Sequence, residues 1–250
     1  MFKKFTSQLS LLSSISLNEM ESVALLNRMD SKYTLKGQDL LKILPCLIEN
    51  YKVLEINGVR VFSYENNYFD TPDLQFFRDH HNGYVNRIKV RSRRYVESDL
   101  CFFEIKKKEK VDRTNKHREE LTCMISDIDS NRKSVIQDYT RKDIGEVNLI
   151  LKNNFSRVTL VNHHFTERVT IDMNLHFIDN QNDIKFGKIA IIEVKQSKST
   201  HTSPITNSLK QYHIRSQGIS KYIYGVISLH PTVKKNNFMP IIRTIHKLQQ

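Results

Sequence analysis

The 250-residue sequence predicts an α+β fold in which an antiparallel sheet is interleaved with helices. Two observations support this prediction. Five segments alternate charged with apolar or uncharged side chains, as strands do because successive residues face opposite sides of a sheet. Other segments carry apolar residues at helical spacing. No repeat, linker or long block of like charge divides the chain, so we expect one domain over residues 1–250.

Apolar stripes and capping residues predict five helices and a C-terminal tail from about residue 231. The helices are expected at about 1–17, at 39–50 with a kink at Pro45, at 143–153, from the N-cap Ser203 to Gly218, and after the N-cap Ser220. The first of them is amphipathic, so packing on the body of the protein competes with contact to a membrane.

The five strand segments each place their charged residues on one face. These faces comprise Arg28, Asp30 and Lys32; Arg87, Lys89, Arg91 and Arg93; Glu104, Lys106 and Lys108; Arg168, Thr170 and Asp172; and Glu193 with Lys195. Alternation of this kind usually means a sheet with a solvated outer face. However, four cations about 7 Å apart along one strand repel one another unless an anion lies along them.

The position of the core separates these two interpretations. If the helices cover the apolar faces of the strands, the charged faces line the interior of a closed barrel with a cationic lumen. The inward carboxylates would then pair with the cations or hold a divalent metal.

Composition limits the classes of function. The chain has 39 Lys or Arg against 27 Asp or Glu, a formal net charge of +12. This excess indicates an anionic partner, which is nucleic acid, a phosphate-rich molecule or polymer, or an acidic membrane surface. No stretch approaches the roughly 20 apolar residues that cross a bilayer. Three cysteines outside any CxxC pair fit a reducing compartment, so we expect a cytoplasmic protein without a transmembrane segment.

An ordered set of motifs gives the charged strands a more specific meaning. From about Arg28 to Gly225 the chain reads RMDSKY, YFDTPDL, KVRSRRY, FFEIKKK, ERVTIDMNL, IIEVKQ and ISKYIYG. This set resembles the VTC domain, the polyphosphate polymerase branch of the CYTH or triphosphate tunnel metalloenzyme superfamily. The resemblance implies an eight-stranded antiparallel β-barrel with flanking helices. It also implies inward Lys and Arg that bind a triphosphate and inward carboxylates that bind a metal.

The resemblance assigns roles to individual residues. The implied catalytic cations are Lys32, Arg91, Arg93, Lys106 and Arg157. The implied substrate contacts are Arg168, Ser220 and Lys221, to which the charged strand faces add Arg87, Lys89 and Lys195. Glu193 is the implied ligand of Mn2+ or Mg2+, and Glu104 is a second candidate. For Arg168, a structural ion pair with Asp172 remains an equal alternative.

Two departures from the family pattern affect these assignments. The first tunnel strand of the superfamily carries ExExK, whereas this chain reads Arg28-x-Asp30-x-Lys32 and so offers one carboxylate at most. The family often has a lysine shortly before its SKY element, where this chain has Gln217 and Gly218. Compared with the family pattern, we therefore expect weaker metal binding at the first strand and weaker substrate binding near Ser220.

The implied function is a polyphosphate polymerase domain that transfers the terminal phosphoryl group of a nucleoside triphosphate, ATP in the first instance, to a growing polyphosphate chain. Two alternatives remain. One is a metal-dependent inorganic or nucleoside triphosphatase of the same fold, in which Glu104 would activate water. The other is a non-catalytic module that binds polyphosphate or RNA. The expected partners are the nucleotide and polyphosphate, without specific nucleic acid, and a membrane protein that receives the product would associate the domain with a membrane.

Overall fold

The computed structural model describes residues 2–21, 28–109, 114–141, 143–197 and 203–250. The strands are β1 (Ser14–Ile15), β2 (Arg28–Lys36), β3 (Tyr51–Leu54), β4 (Phe62–Asp70), β5 (Ile88–Tyr95), β6 (Leu100–Lys108), β7 (Thr114–Leu121), β8 (Asn148–Asn162), β9 (Glu167–Ile178), β10 (Asp183–Phe186) and β11 (Ile189–Ser197). The helices are α1 (Lys3–Ser7), α2 (Leu17–Glu21), α3 (Leu40–Asn50), α4 (Gln75–His81), α5 (Ser130–Thr140), α6 (Pro204–Gln211), α7 (Lys221–Leu229) and α8 (Met239–Gln249).

Eight strands form a continuous antiparallel sheet in the order β2-β11-β9-β8-β4-β5-β6-β7. No pairing joins β2 to β7 within the described residues, so the sheet forms a tunnel-like wall that is not strictly closed. The segment before α7 covers the free edge of β2, where the Gln217 amide donates to the Lys32 carbonyl at 2.7 Å. The predicted α+β class, an antiparallel eight-stranded sheet with flanking helices, is confirmed.

Two large hydrophobic clusters lie on the outer side of this sheet, and a third packs α7 and α8 against inner-face residues such as Tyr68 and Ile191. Helices α1, α3 and α6 pack on the outward residues of β2, β8, β9 and β11 in a cluster that includes Leu47, Ile171 and Ile192. Helices α4 and α5 cover β5 and β6 in a second cluster, which includes Val90 and Ile105. Because the apolar faces are used in this way, the charged faces of the strands line the interior.

Helix α7 packs across one end of the tunnel. Its Tyr222 lies 5.3 Å from the ring of Tyr68, an inner-face residue of β4. A Cβ added at Gly225 would lie 2.7 Å from a side-chain carbon of Phe177, so only glycine allows α7 to approach β9 this closely. Within the described part of the chain, no helix is long and apolar enough to span a membrane.

The structure differs from the predicted helices at the N-terminus and before β8. The segment expected to be helical over residues 1–17 contains the short α1, a 3-10 turn at Gln8–Leu11 and strand β1. Residues 148–153, predicted as the end of a helix, are the first residues of β8. Helix α5 has no counterpart among the predictions, although Asp129 caps it by accepting the Arg132 amide at 2.8 Å.

In the C-terminal third, both predicted N-caps are confirmed. Ser203 accepts the amide of the third residue of α6, and Ser220 does the same for α7. Helix α6 ends at Gln211 instead of continuing to Gly218. The segment expected as a tail contains the helix α8.

Candidate active site

Strand register brings the predicted cations and carboxylates onto one inner face. On β5, β6 and β7 the paired rows are Lys89–Lys106–Lys116, Arg91–Glu104–Arg118 and Arg93–Phe102–Glu120. On the opposite wall, Lys32 of β2 pairs with Glu193 of β11, and Asp172 of β9 pairs with Arg157 of β8. Burial together with the charge of Lys32 lowers the pKa of Lys106, because these residues approach each other across the lumen.

Three cations enclose Glu104. Its side chain is only 2% exposed, with Arg91 Nη2 and Lys116 Nζ each 2.5 Å from a carboxylate oxygen and Arg118 Nε at 3.6 Å. Burial raises the pKa of this carboxyl, but Arg91, Arg93 and Lys116 lower it by a larger amount. The net pKa therefore lies well below the ordinary value. The basic row on β5 was expected to be self-repelling without a bound anion. That expectation is wrong at Arg91, because Glu104 supplies the counter-charge.

Asp172 provides the counter-charge on the opposite wall. Two guanidinium nitrogens of Arg157 donate to it, Nε to Oδ1 at 2.6 Å and Nη2 to Oδ2 at 2.8 Å, and Lys221 donates to the same Oδ2. Burial raises the pKa of Asp172, but the two cations outweigh burial and the net pKa is low. Arg168, considered above as its partner, donates to the Met20 carbonyl at 2.7 Å.

Lys89, Lys106 and Arg93 are among the inner-face cations that make no ion pair with the described residues. Lys89 is half-buried, and burial with the nearby charges of Lys32, Lys106 and Arg87 lowers its pKa well below the ordinary value. Lys106 is exposed to the lumen. Arg93 is 7% exposed and donates to the neutral Asn66 at 2.8 Å. Positive charge without a counter-charge favours an anion between these groups.

Glu193 differs from the two buried carboxylates. Its side chain is 17% exposed, and its contacts to Lys195 at 3.9 Å and Lys32 at 4.0 Å are longer than hydrogen bonds. Burial raises its pKa, but Lys195 and Lys32 lower it to about 2 overall, so the carboxylate is ionised at neutral pH. It is therefore both charged and accessible.

The donor set fits Mg2+ or Mn2+ bound by one protein carboxylate. The described residues contain no group of three or more His, Cys, Asp or Glu side chains placed to hold a metal. Mg2+ is usually bound through one or two carboxylates, with water and substrate phosphates as the other ligands. Glu193 meets that requirement, whereas the three cations around Glu104 oppose a divalent cation there.

The remaining predicted residues lie around the lumen. Lys195 lies beside Glu193 on the inner face of β11. Arg87 lies just before β5 and donates to the Tyr84 carbonyl at 3.0 Å. Lys32 Nζ lies 3.3 Å from the Ile219 carbonyl, which links β2 to the start of α7. The Ser220 hydroxyl accepts the Ile223 amide at 3.5 Å, so this residue caps α7.

The sequence analysis missed the contribution of β4. Its inner-face residues include Asn66, which accepts from Arg93 and donates to the Asn153 carbonyl at 2.9 Å, and Tyr68, whose hydroxyl lies 3.4 Å from Arg91. Burial raises the pKa of Tyr68, but Arg91 and Arg93 produce a net lowering. The segment SYENNYF does alternate, but its inner residues are uncharged, so charge alone could not reveal it.

Comparison with known proteins identifies the family. The family model of the VTC domain matches residues 27–230. The chain belongs to the VTC domain family. No curated protein matches this VTC domain chain.

Two solved structures are among those similar to this VTC domain. A candidate adenylate cyclase from Vibrio parahaemolyticus is 14% identical, with a TM-score of 0.46 over 79% of this chain and 97% of its own. HpAC1 from Hippeastrum, described as a candidate adenylyl cyclase with a dominant triphosphatase activity, is 14% identical, with a TM-score of 0.45 over 82% and 98% of the two chains.

Proposed function

We propose that this VTC domain is a polyphosphate polymerase that transfers the terminal phosphoryl group of a nucleoside triphosphate, with ATP as the expected donor, to a growing polyphosphate chain. The observation that carries the proposal is the combination, in the same lumen, of cations that make no ion pair among the described residues with the accessible, ionised carboxylate of Glu193. Lys89, Lys106 and Arg93 are these cations. Glu193 supplies the carboxylate.

Arg91 and Arg157 are the proposed donors to the transferring phosphoryl group. Glu104 and Asp172 fix their guanidinium groups before any substrate is bound. Donors held in advance stabilise charge that develops in the transition state without reorganising during the reaction. Arginine also matches phosphate oxygens with two parallel hydrogen bonds, which are stronger than neutral ones.

Glu193 is the proposed ligand of Mn2+ or Mg2+. When bound, such an ion would neutralise part of the triphosphate charge and help to orient the reacting groups. Lys32 and Lys195, which lie about equally far from the Glu193 carboxylate, are placed to contact the remaining phosphate oxygens. Exchange of their loose contacts with Glu193 for contacts with phosphate would disturb little of the fold.

The chemistry requires little proton transfer from the protein. In the proposed step, a terminal oxygen of the acceptor chain attacks the γ-phosphorus, the bond to the bridging oxygen breaks, and the nucleoside diphosphate leaves. The attacking oxygen of a phosphate chain is already largely ionised at neutral pH, because a terminal phosphate has a second pKa of about 6. The Lys89–Lys106–Lys116 row is the proposed binding site of the acceptor chain.

A triphosphatase would instead need a base to activate water. Glu104, the candidate from the sequence, is bound to Arg91 and Lys116, and its low pKa makes it a weak base. This observation favours transfer to phosphate over transfer to water. A module that only binds polyanions would have no use for an ionised carboxylate at Glu193, which repels phosphate unless a metal or proton intervenes.

Product analysis tests the proposal. Purified protein is incubated with ATP and Mn2+, the products are run on a gel stained for polyphosphate, and nucleoside diphosphate and inorganic phosphate are measured in the same samples. A polymerase yields long chains with a matching amount of nucleoside diphosphate. Inorganic phosphate without chains would establish the triphosphatase instead, and the absence of any turnover would favour the binding module.

A further inference from the structure

The inner face changes character along the tunnel. Successive rows on β4, β5, β6 and β7 begin with Lys89–Lys106–Lys116 and Tyr68–Arg91–Glu104–Arg118. The rows that follow are Asn66–Arg93–Phe102–Glu120 and Tyr64–Tyr95–Leu100. Rows of inward residues lie about 7 Å apart because alternate residues share a face. One end of this wall is therefore basic and the other is aromatic.

The aromatic end is a chain of contacting rings. Tyr64 stacks on Phe155 at a centroid distance of 5.1 Å and an interplanar angle of 8°. Tyr95 meets Tyr64 edge-on at 5.0 Å and Phe102 at 5.7 Å. Offset and edge-on pairs of this kind hold rings in fixed orientations. The rings form a rigid surface beside Arg93, which lies 5.3 Å from the Tyr64 ring.

Arg118 covers the end of this ring chain. Its guanidinium carbon lies 3.5 Å from the Phe102 ring centroid, and its Nη2 lies 3.3 Å from the Tyr95 hydroxyl. The side chain is nevertheless 41% exposed, and the neighbouring Leu100 is 43% exposed. A planar cation fixed on a ring, beside an exposed apolar side chain, is suited to stacking with a nucleobase.

We propose that Phe102, Arg118, Tyr95 and Leu100 bind the nucleoside part of the donor nucleotide. This site rests on the proposed function, in which the donor is a nucleoside triphosphate. The base lies on Arg118 and Leu100, and the triphosphate extends past Arg93 toward Arg91. The acceptor chain then occupies the Lys89 row, so the nucleotide enters at the aromatic end and the polymer lies at the basic end.

Charge supports this polarity. In the Phe102 row the carboxylate of Glu120 offsets part of the positive charge of Arg93, and Arg118 lies over Phe102. The Lys89–Lys106–Lys116 row carries three cations across three adjacent strands. A polyphosphate chain is therefore attracted to the Lys89 row, where no carboxylate lies within the row, and an uncharged base is not.

Paired binding measurements test the site. Affinities for ATP and for inorganic tripolyphosphate are measured by calorimetry in EDTA, so that no turnover occurs, for the wild type, Phe102→Leu and Leu100→Ser. We expect Phe102→Leu to lower the affinity for ATP on the order of ten-fold, with the tripolyphosphate affinity unchanged. Leu100→Ser, at an exposed position, is expected to lower the ATP affinity by a smaller factor in a folded protein. Phe165→Leu is the matched control, because Phe165 is 39% exposed in the turn between β8 and β9.

Two results would overturn the proposal. One is an equal loss of affinity for ATP and tripolyphosphate, which would mean that the ring only supports the arginines. The other is an unchanged ATP affinity in both variants. Because these measurements need no turnover, a protein that makes no polyphosphate can still satisfy them. An active polymerase that fails them would refute the nucleoside site alone.

Discussion

Arg91 and Arg93 lie two residues apart on the same face of β5, yet their surroundings differ. Arg91 contacts the buried carboxylate of Glu104 at 2.5 Å. Arg93 donates to the neutral Asn66 and lies within 6 Å of the Tyr64 and Tyr95 ring centroids. Both are placed to bind phosphate, but only Arg91 also neutralises a buried negative charge. The contribution of each arginine to stability should therefore differ.

We expect Arg91→Met to destabilise the unliganded protein more than Arg93→Met. Removing Arg91 leaves Glu104 with only Lys116 and Arg118, and loss of one partner of a buried pair costs up to about 3–5 kcal/mol. Removing Arg93 leaves one acceptor of Asn66 unpaired, which costs about 1–3 kcal/mol. It also removes a buried cation that has no carboxylate partner among the described residues. Urea unfolding at neutral pH measures both variants. A lower free energy of unfolding for Arg93→Met than for Arg91→Met would contradict this account of the row.

Glu193→Gln tests the metal site. The variant keeps the size of the side chain but loses its charge, so we expect turnover to be lost while tripolyphosphate binding in EDTA is retained or strengthened. Activity across a Mn2+ titration is the deciding measurement. Glu65→Gln is the control, because Glu65 lies on the outer face of β4 and pairs with Arg94 at 3.5 Å. Unchanged rates at limiting Mn2+ in Glu193→Gln would refute the assignment.

Glu193 should also make stability depend on pH in the acid range. Its folded pKa of about 2 lies below the ordinary value of 4.5, so the unfolded chain binds more protons between these values. The carboxylate therefore contributes stability above pH 4.5, and this contribution is lost as the pH falls toward 2. The full effect is roughly 3 kcal/mol at most. Urea unfolding between pH 6 and pH 3 should show a shallower decline for Glu193→Gln than for the wild type, and parallel declines would contradict the shift.

At the scale of the element, charge alternation identified the strands whose inner residues are ionised and missed those whose inner residues are neutral. Strands β2, β5, β6, β9 and β11 were predicted from that pattern. Strand β8 faces the lumen with Leu151, Asn153 and Phe155 before Arg157, so its start showed no charged face. The helix α5 was missed because it buries only Ile136, which leaves no apolar stripe to read. Counter-charge partners such as Arg157 with Asp172 depend on register between strands, which the residues of one strand do not specify.

Ser220 caps helix α7, and the first residue of that helix is the candidate site residue Lys221. We expect Ser220→Ala to lower the free energy of unfolding by about 1 kcal/mol. It should also weaken tripolyphosphate binding, because the first turn no longer holds Lys221 against Asp172. Ser220→Thr, which retains a capping hydroxyl, should restore most of both losses.

Ser203→Ala is the matched control for that prediction, because Ser203 caps α6 on the outer layer. It should lose at least as much stability and keep tripolyphosphate binding. Thermal unfolding and calorimetry measure the two properties separately. Intact binding in Ser220→Ala would show that the cap does not position Lys221.

At the scale of the whole molecule, most of the apolar groups that stabilise the fold and the charged groups proposed to bind phosphate lie in different parts of the structure. Two apolar clusters lie between the sheet and the outer helices and a third lies under α7 and α8, whereas the charged groups line the lumen. Because apolar-striped helices alternate with charged strands, the sequence predicted that the charged strand faces point inward and the apolar faces outward. The family resemblance added the expectation of eight strands. The incomplete closure between β2 and β7, and the covering of the β2 edge by the segment around Gln217, follow from backbone pairing that no side-chain pattern specifies.

The central claim is that the inner face, and not the general basicity of the chain, binds triphosphate. Adjacent residues of β6 provide the most direct test, because Lys106 faces the lumen whereas Lys107 points outward, is 7% exposed and pairs with Glu109 at 3.6 Å. Calorimetric titration of tripolyphosphate into Lys106→Met and Lys107→Met compares the same change of charge on the two faces. We expect the Lys106 variant to lose affinity on the order of ten-fold, as for a charge-assisted hydrogen bond, and the Lys107 variant to bind like the wild type. Equal affinities in the two variants would contradict the claim.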